Sequence, residues 1–117
     1  PGFSEGYGHI GFVHLQRGEV DEAIKNLEKA THFNFRFIQA FATLGSAYLM
    51  AGDPDKSIEA SEKALALAPD FAVAHNNLAL AYLEKGVNGK AVEHFDRAVA
   101  LGYEPAPEFR EEIEKIR

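Results

Sequence analysis

The sequence contains no cysteine, no tryptophan and a single methionine among its 117 residues. The lack of cysteine excludes a disulfide framework, a cysteine nucleophile and a thiolate metal site. Basic residues are also scarce, at 12 against 18 acidic ones, which gives a formal net charge of -6. Since nucleic acids and anionic membranes are bound by clustered lysine and arginine, we expect neither as a partner. No apolar run approaches the roughly 20 residues that a membrane span needs.

Sequence signatures of catalysis are missing as well. Gly6, Gly8 and Gly11 do not follow a strand pattern, so they lack the context of a phosphate-binding loop. The serines have no histidine or aspartate partners at an informative spacing, and no two of the five histidines stand four residues apart. We therefore expect no enzyme activity, no cofactor and no zinc site.

A regular helical pattern runs through the whole chain. Apolar residues recur at three- and four-residue spacing, and glycine or proline interrupts the pattern at regular places. These interruptions predict seven helices, at 4–17, 21–33, 38–51, 54–67, 72–85, 88–101 and 106–116. Asp53, directly before Pro54, is predicted to cap the fourth helix, and Asp70 is predicted to cap the fifth.

The helical pattern repeats at a fixed interval along the chain. Shifted by one interval, Gly18 falls on Gly52 and Tyr48 falls on Tyr82. A fixed period of roughly 20–50 residues indicates a stacked-repeat architecture, in which each unit packs against its neighbours. Such arrays present an extended concave surface to a partner, so the period favours a binding protein over an enzyme.

Each unit resembles a tetratricopeptide repeat (TPR), a helix-turn-helix of about 34 residues. The residues that carry the resemblance are Tyr7, Ile10, Gly11, Gly18, Ala23, Leu27 and Ala30 in the first copy, Phe41, Leu44, Gly45, Tyr48, Gly52, Ala64 and Pro69 in the second, and Leu78, Ala79, Tyr82, Gly86, Ala91, Phe95 and Ala98 in the third. The resemblance implies an all-α, right-handed helical-repeat solenoid with repeats at 4–37, 38–71 and 72–105. A seventh helix within 106–117 would cap the array with one apolar stripe.

Some residues depart from the family pattern. Ser57 and Ser61 stand where the family has alanine and an aromatic residue, so the second helix of the middle repeat brings less bulk to the core. His14 and His75 replace aromatic residues, and we expect each to be a packed ring with one hydrogen bond. Residues 1–3 have the register of the end of a preceding repeat, which predicts that the three repeats are the last part of a longer array.

In the family, the first helices of the repeats line a concave groove. The resemblance assigns to this groove His9, Phe12 and Gln16 from the first copy, Gln39, Thr43, Ser46 and Met50 from the second, and Val73, Asn76, Asn77, Leu80, Leu83 and Glu84 from the third. We expect the apolar side chains to receive apolar anchors of a partner and the amides to bind its backbone. The resemblance thus implies a protein–protein interaction module that holds a peptide or helix.

Chaperone-binding members of the family use a carboxylate clamp of lysine, asparagine and arginine side chains. The corresponding positions here are Gly8, Phe12, Thr43, Val73 and Asn77, and none of them is cationic. A partner's terminal carboxylate would find no charge-assisted hydrogen bond at these positions. We therefore do not expect an acidic C-terminal tail as the ligand.

An aromatic-rich stretch leaves a second function open. It comprises Phe33, Phe35, Phe37, Ile38 and Phe41, close to the less regular N-terminal helix. We expect most of this stretch to form the core between repeats. An exposed remainder would favour self-association end to end, so a homo-oligomerising scaffold is the alternative hypothesis.

Overall fold

The computed structural model describes residues 2–117, which form seven α-helices and no strand. The helices are α1 (Gly2–Gln16), α2 (Val20–Phe33), α3 (Ile38–Met50), α4 (Pro54–Leu67), α5 (Ala72–Glu84), α6 (Asn88–Ala100) and α7 (Pro107–Ile116). Every predicted helix is present with its ends within two residues, and the all-α helical-repeat architecture is confirmed. The placement of residues 1–3 in a preceding repeat stays a prediction: Gly2 and Phe3 lie in α1, and Pro1 lies outside the described residues. None of the described helices combines the length and the apolar character needed to cross a bilayer.

In each of the three pairs of helices, one glycine follows the end of the first helix. Gly18, Gly52 and Gly86 have φ values of 78°, 80° and 77°, in the left-handed region that favours glycine. Because they occupy the same position in successive repeats, the same sharp turn joins α1 to α2, α3 to α4 and α5 to α6.

The two predicted helix caps have different outcomes. Asp53 caps α4 as expected, since its carboxylate accepts a hydrogen bond of 3.1 Å from the backbone N–H of Lys56. The prediction for Asp70 is wrong. Phe71 holds the N-cap position of α5, and Asp70 instead accepts a hydrogen bond of 2.9 Å from Arg97 on α6.

Small residues allow the two helices of a pair to pack closely. Ala23, Ala30 and Ala64 are fully buried where helices meet. A Cβ atom on Gly11 would lie 2.6 Å from Cγ of Leu27, closer than real Cβ contacts come. Gly11 is therefore required for the approach of α1 to α2.

The middle repeat replaces aromatic bulk with a polar contact. The Ser57 hydroxyl donates to the carbonyl oxygen of Gly45 at 2.7 Å. The Asn77 amide enters from α5 and donates to the carbonyl oxygen of Ala42 at 2.9 Å. The Ser61 hydroxyl is fully buried, and its oxygen has no hydrogen-bond partner among residues 2–117.

Helix α7 covers the last pair of helices. Phe109 and Ile113 are buried against the cluster around Phe95, and the rings of Phe95 and Phe109 meet edge to face at 5.4 Å. At the end of the chain, the Arg117 guanidinium donates two hydrogen bonds, of 2.8 and 2.9 Å, to the carboxylate of Asp96 on α6.

Candidate functional site

The first helices of the three pairs form one continuous surface, which we call the first-helix face. Helix α3 lies between α1 and α5 and contacts both. A hydrogen bond of 3.2 Å from the Ser46 hydroxyl to the Asn77 amide oxygen joins α3 to α5 on this face. The predicted binding residues all lie on these three helices, but they differ in accessibility.

Three of the predicted apolar residues are exposed, one from each helix. Phe12 on α1 is 46% exposed, Met50 on α3 is 56% exposed and Val73 on α5 is 38% exposed. The predicted polar residues that are also exposed are His9, Gln16, Gln39 and Glu84. These residues are accessible to a partner.

Four further predicted residues are half-buried. The Thr43 hydroxyl donates to the carbonyl oxygen of Gln39 at 2.8 Å, and the Ser46 hydroxyl donates to Asn77, so both hydroxyls are already used as donors. Leu80 and Leu83 pack against the cluster that contains Phe95 and Ile113, and only part of each side chain faces outward.

Asn76 and Asn77 are placed differently from our expectation. Both are buried, at 7% and 3% exposure. The Asn77 amide bonds to Ala42 and Ser46, and the Asn76 amide nitrogen donates to the Tyr103 hydroxyl at 3.4 Å. The Asn77 amide therefore holds α5 against α3, whereas the buried Asn76 oxygen has no hydrogen-bond partner among residues 2–117. Neither side chain reaches the surface where a partner's backbone would lie.

The sequence carried a signal for this burial. In the sequence, the two asparagines stand among apolar residues of α5, the first helix of the last pair. A Cβ atom on Gly45 would lie 3.0 Å from the Asn77 amide nitrogen, so this glycine leaves room for the amide. The family pattern alone places the asparagines on the surface.

The first-helix face has little positive charge. Helices α1, α3 and α5 contain no lysine or arginine, and Glu5 and Glu84 carry carboxylates near its two ends. At the first clamp position, a Cβ atom on Gly8 would lie 2.9 Å from the ring of Phe37. The ring therefore occupies the space into which a clamp lysine would have to extend.

A second concave surface was not predicted. We call it the second-helix groove. It lies between α2 and α4, with Phe41 and Tyr48 of α3 in its floor, and its volume is about 660 Å³. The sequence signal is Ala60, a small residue at the position where the third copy has His94.

The aromatic-rich stretch divides into a buried and an exposed part. Phe41 is buried, and Phe37 and Ile38 are half-buried. Phe33 and Phe35 are 58% and 74% exposed. The Phe33 ring lies 5.9 Å from the rings of both Phe3 and Tyr7, so the exposed part includes the start of α1.

Three of the five histidines make specific contacts. His14 contacts a carboxylate oxygen of Glu19 at 3.1 Å. His75 is buried, with Nε2 2.9 Å from the carbonyl oxygen of Pro69 and Nδ1 3.1 Å from Nδ1 of His94. Across residues 2–117, no three histidine, aspartate or glutamate side chains come together as a metal site.

Comparison with known proteins agrees with this geometry. Family models described as tetratricopeptide repeat match residues 4–34 and 42–107. No curated protein sequence matches the chain. Among solved structures, MamA is 32% identical with a TM-score of 0.77, over 96% of this chain and 61% of that one. The chain thus spans less than two thirds of MamA.

More distant structures share the fold over nearly their whole length. The first TPR of Spaghetti (RPAP3), bound to the HSP90 peptide SRMEEVD, is 19% identical with a TM-score of 0.89, over 97% of this chain and 90% of that one. The TPR domain of Arabidopsis OM64 is 16% identical with a TM-score of 0.90, over 97% and 93%. Because a family model covers more than half of the sequence and the helices pack accordingly, the chain belongs to the tetratricopeptide repeat family, whose domains are protein-interaction modules.

Proposed function

We propose that the chain binds a peptide segment of a partner protein across the first-helix face. The observation that carries this proposal is the exposure of Phe12, Met50 and Val73, one apolar side chain from each first helix. Single exposed apolar residues are ordinary, but three of them on neighbouring helices offer separate anchor points for one ligand. Gln16 and Gln39 are exposed beside these anchors and supply the amide groups that a peptide backbone needs.

The charges of the face define the ligand further. With no lysine or arginine on α1, α3 or α5, and with Glu5 and Glu84 at the ends, the face favours an uncharged or basic segment. An acidic tail is disfavoured because no cation would replace the water around its carboxylates. The ring of Phe37 beside Gly8 supports the same view.

The experiment begins with binders selected from a random peptide library against the wild-type chain. Affinities are then measured by isothermal titration calorimetry for the wild type and for a Phe12→Glu/Met50→Glu variant. Since central apolar anchors contribute about 1–2 kcal/mol each, we expect at least tenfold weaker binding to the variant.

Val87→Glu is the matched control. Val87 is similarly exposed, at 39%, but it is the N-cap residue of α6 and does not belong to a first helix. We expect its affinities to equal those of the wild type. Selected peptides that bind all three proteins equally well would show that the first-helix face is not the binding site. The peptide SRMEEVD tests the charge argument separately, and we expect no measurable binding.

Self-assembly is a second candidate, favoured by the exposed rings of Phe3, Phe33 and Phe35. Contiguous exposed aromatic residues are typical of association surfaces. Light scattering over a concentration series tests this candidate. We expect the mass to rise with concentration in the wild type and to stay monomeric in a Phe33→Ser/Phe35→Ser variant. A wild type that is monomeric throughout the series would remove the candidate.

A further inference from the structure

The third repeat contains a ring that the second repeat lacks. On α6, the His94 imidazole lies between two rings of α5. Its centroid is 5.4 Å from that of His75 and 5.8 Å from that of Tyr82, and its plane is tilted by 28° and 12° from theirs. These distances are those of stacked aromatic pairs. The two flanking residues are seven positions apart, or about 10.5 Å along a helix, which is the spacing that leaves room for one ring between them.

The same arrangement recurs in the second repeat without its central ring. A shift of one repeat places His75 on Phe41, Tyr82 on Tyr48 and His94 on Ala60. Phe41, Tyr48 and Ala60 all line the second-helix groove. Since alanine ends at Cβ, α4 places no ring between the two rings of α3, and the groove reaches all three residues.

We propose that this space, which we call the aromatic slot, binds a phenyl or phenol side chain of a partner protein. The slot differs from its filled counterpart in one flanking residue. In the third repeat His75 offers a nitrogen to His94 at 3.1 Å, whereas Phe41 offers only an apolar ring. The open slot therefore favours a phenyl or phenol ring over an imidazole.

The rim of the groove supports an uncharged occupant. Its two lysines, Lys56 and Lys63, are balanced by Glu28 and Glu59. Glu28 accepts a hydrogen bond of 2.7 Å from the Tyr48 hydroxyl, and Glu59 pairs with Lys63 at 3.4 Å. A neutral ring is complementary to a rim whose charges cancel, in a chain whose net charge is -6.

The size of the groove suits an aromatic residue inside a peptide segment, with further residues of that segment on both sides of the ring. A cavity of about 150 Å³ is enough for benzene, and the groove is about 660 Å³. The remaining length, which extends along α2 and α4 to Phe35 and Leu67, has room for the residues that flank the ring. The Lys63 ammonium lies 5.9 Å from the Phe41 ring, and the Lys56 ammonium lies 5.7 Å from the Tyr48 ring. Both lysine side chains are exposed, so an arriving ring has to displace exposed lysine side chains from these rings.

Nuclear magnetic resonance titration tests the proposal with defined probes. The probes are N-acetyl-phenylalaninamide, N-acetyl-leucinamide as the aliphatic control, and a capped heptapeptide with one central phenylalanine among glycine and serine. We expect saturable shifts at the Ala60 methyl group and the Tyr48 ring with the phenylalanine probe and not with the leucine probe. We expect the heptapeptide to bind at least threefold more tightly than the capped amino acid.

Two reciprocal variants fix the location. Ala60→His inserts the ring that the third repeat already has, and we expect it to weaken binding of the phenylalanine probe at least tenfold. His94→Ala empties the counterpart, and we expect a second set of saturable shifts, at Tyr82. This second variant keeps the test decisive if the first fails to fold.

Several results would overturn the proposal. They are equal binding of the leucine probe, unchanged binding to the folded Ala60→His variant, or no new shifts at Tyr82 in His94→Ala. Free 4-methylphenol that binds as tightly as the heptapeptide would make the slot a small-molecule site and refute its assignment to a partner side chain.

Discussion

Replacing Ser61 by alanine is expected to make the protein more stable, although it removes a buried atom. The Ser61 hydroxyl is fully buried, and its oxygen has no hydrogen-bond partner among the described residues. A buried polar group without a partner costs about 1–3 kcal/mol. Removing one oxygen atom gives up only a few van der Waals pairs of about 0.1–0.2 kcal/mol each. The difference predicts that Ser61→Ala raises the free energy of unfolding by about 1 kcal/mol.

Ser57→Ala is the matched control for this substitution. Ser57 lies on the same helix and is equally buried, but its hydroxyl donates to the carbonyl oxygen of Gly45 at 2.7 Å. Removing a satisfied hydroxyl is expected to lower the free energy of unfolding by about 1 kcal/mol. The same chemical change one helical turn apart thus has opposite expected signs.

A coupled substitution sharpens the argument. A Cβ atom on Gly45 would lie 2.6 Å from the Ser61 oxygen and 3.0 Å from the Asn77 amide nitrogen. Overpacking of this kind costs about 1–3 kcal/mol, against a helix-propensity gain of up to about 1 kcal/mol for alanine over glycine. We expect Gly45→Ala to destabilise the wild type, and to do so by about 1 kcal/mol less in the Ser61→Ala background.

Urea unfolding followed by circular dichroism measures all of these variants. The slope of unfolding free energy against urea should stay constant, which shows that only stability has changed. If the free energy of unfolding of Ser61→Ala is lower than that of the wild type by more than about 0.5 kcal/mol, the reasoning is refuted, because the hydroxyl must then have a partner in solution. Equal signs for Ser57→Ala and Ser61→Ala would do the same.

Two further predictions concern α1 and the histidine pair. Gly6→Ala is expected to stabilise the protein by up to about 1 kcal/mol, since a Cβ atom there meets nothing within 4 Å. Gly11→Ala is expected to destabilise the protein, because its Cβ atom would overlap the Leu27 side chain. Urea midpoints measure both effects, and a change of the same sign in the two variants would contradict the packing argument. Burial, followed by the neighbouring His75, lowers the pKa of His94. As the pH falls, His94 is therefore protonated in the unfolded chain before it is protonated in the folded protein. The contribution of His94 to stability is complete above the ordinary histidine pKa of about 6.5 and declines as the pH falls below it. We expect His94→Asn to lose this component of the pH dependence of the urea midpoint, and an unchanged pH dependence would refute the assignment.

The fold was predictable because its signals are local. The turn glycines, Asp53 with Pro54 and the apolar spacing each act within a few residues of chain, so the helix ends were predicted within two residues. Asp70 shows the limit of such reasoning. Its sequence context suits a cap, but the cation of Arg97 on another helix takes its carboxylate.

The candidate site was predictable only in part, because exposure depends on lateral packing. Phe12, Met50 and Val73 are exposed as the family pattern implied. Asn77 was also assigned to the groove, but its amide is buried beside Gly45 and donates to the carbonyl oxygen of Ala42. Ala60 could be aligned with His94 from the sequence alone. The consequence of this difference for the aromatic slot became visible only from the positions of the Phe41 and Tyr48 rings in the structure.

The neighbour-to-neighbour packing of the helices has a mechanical consequence. Within residues 2–117, α1 contacts α2 and α3 but not the later helices, and α7 approaches the array at its far end. We expect such a molecule to deform elastically under a stretching force, since small rotations between neighbouring helix pairs add up along its 43 Å length. A ligand that touches Phe12 at one end and Val73 at the other acts as a strut across those joints. If the proposed ligand binds in this way, we expect its residence time to depend on tension in the chain, so that pulling on the termini releases it.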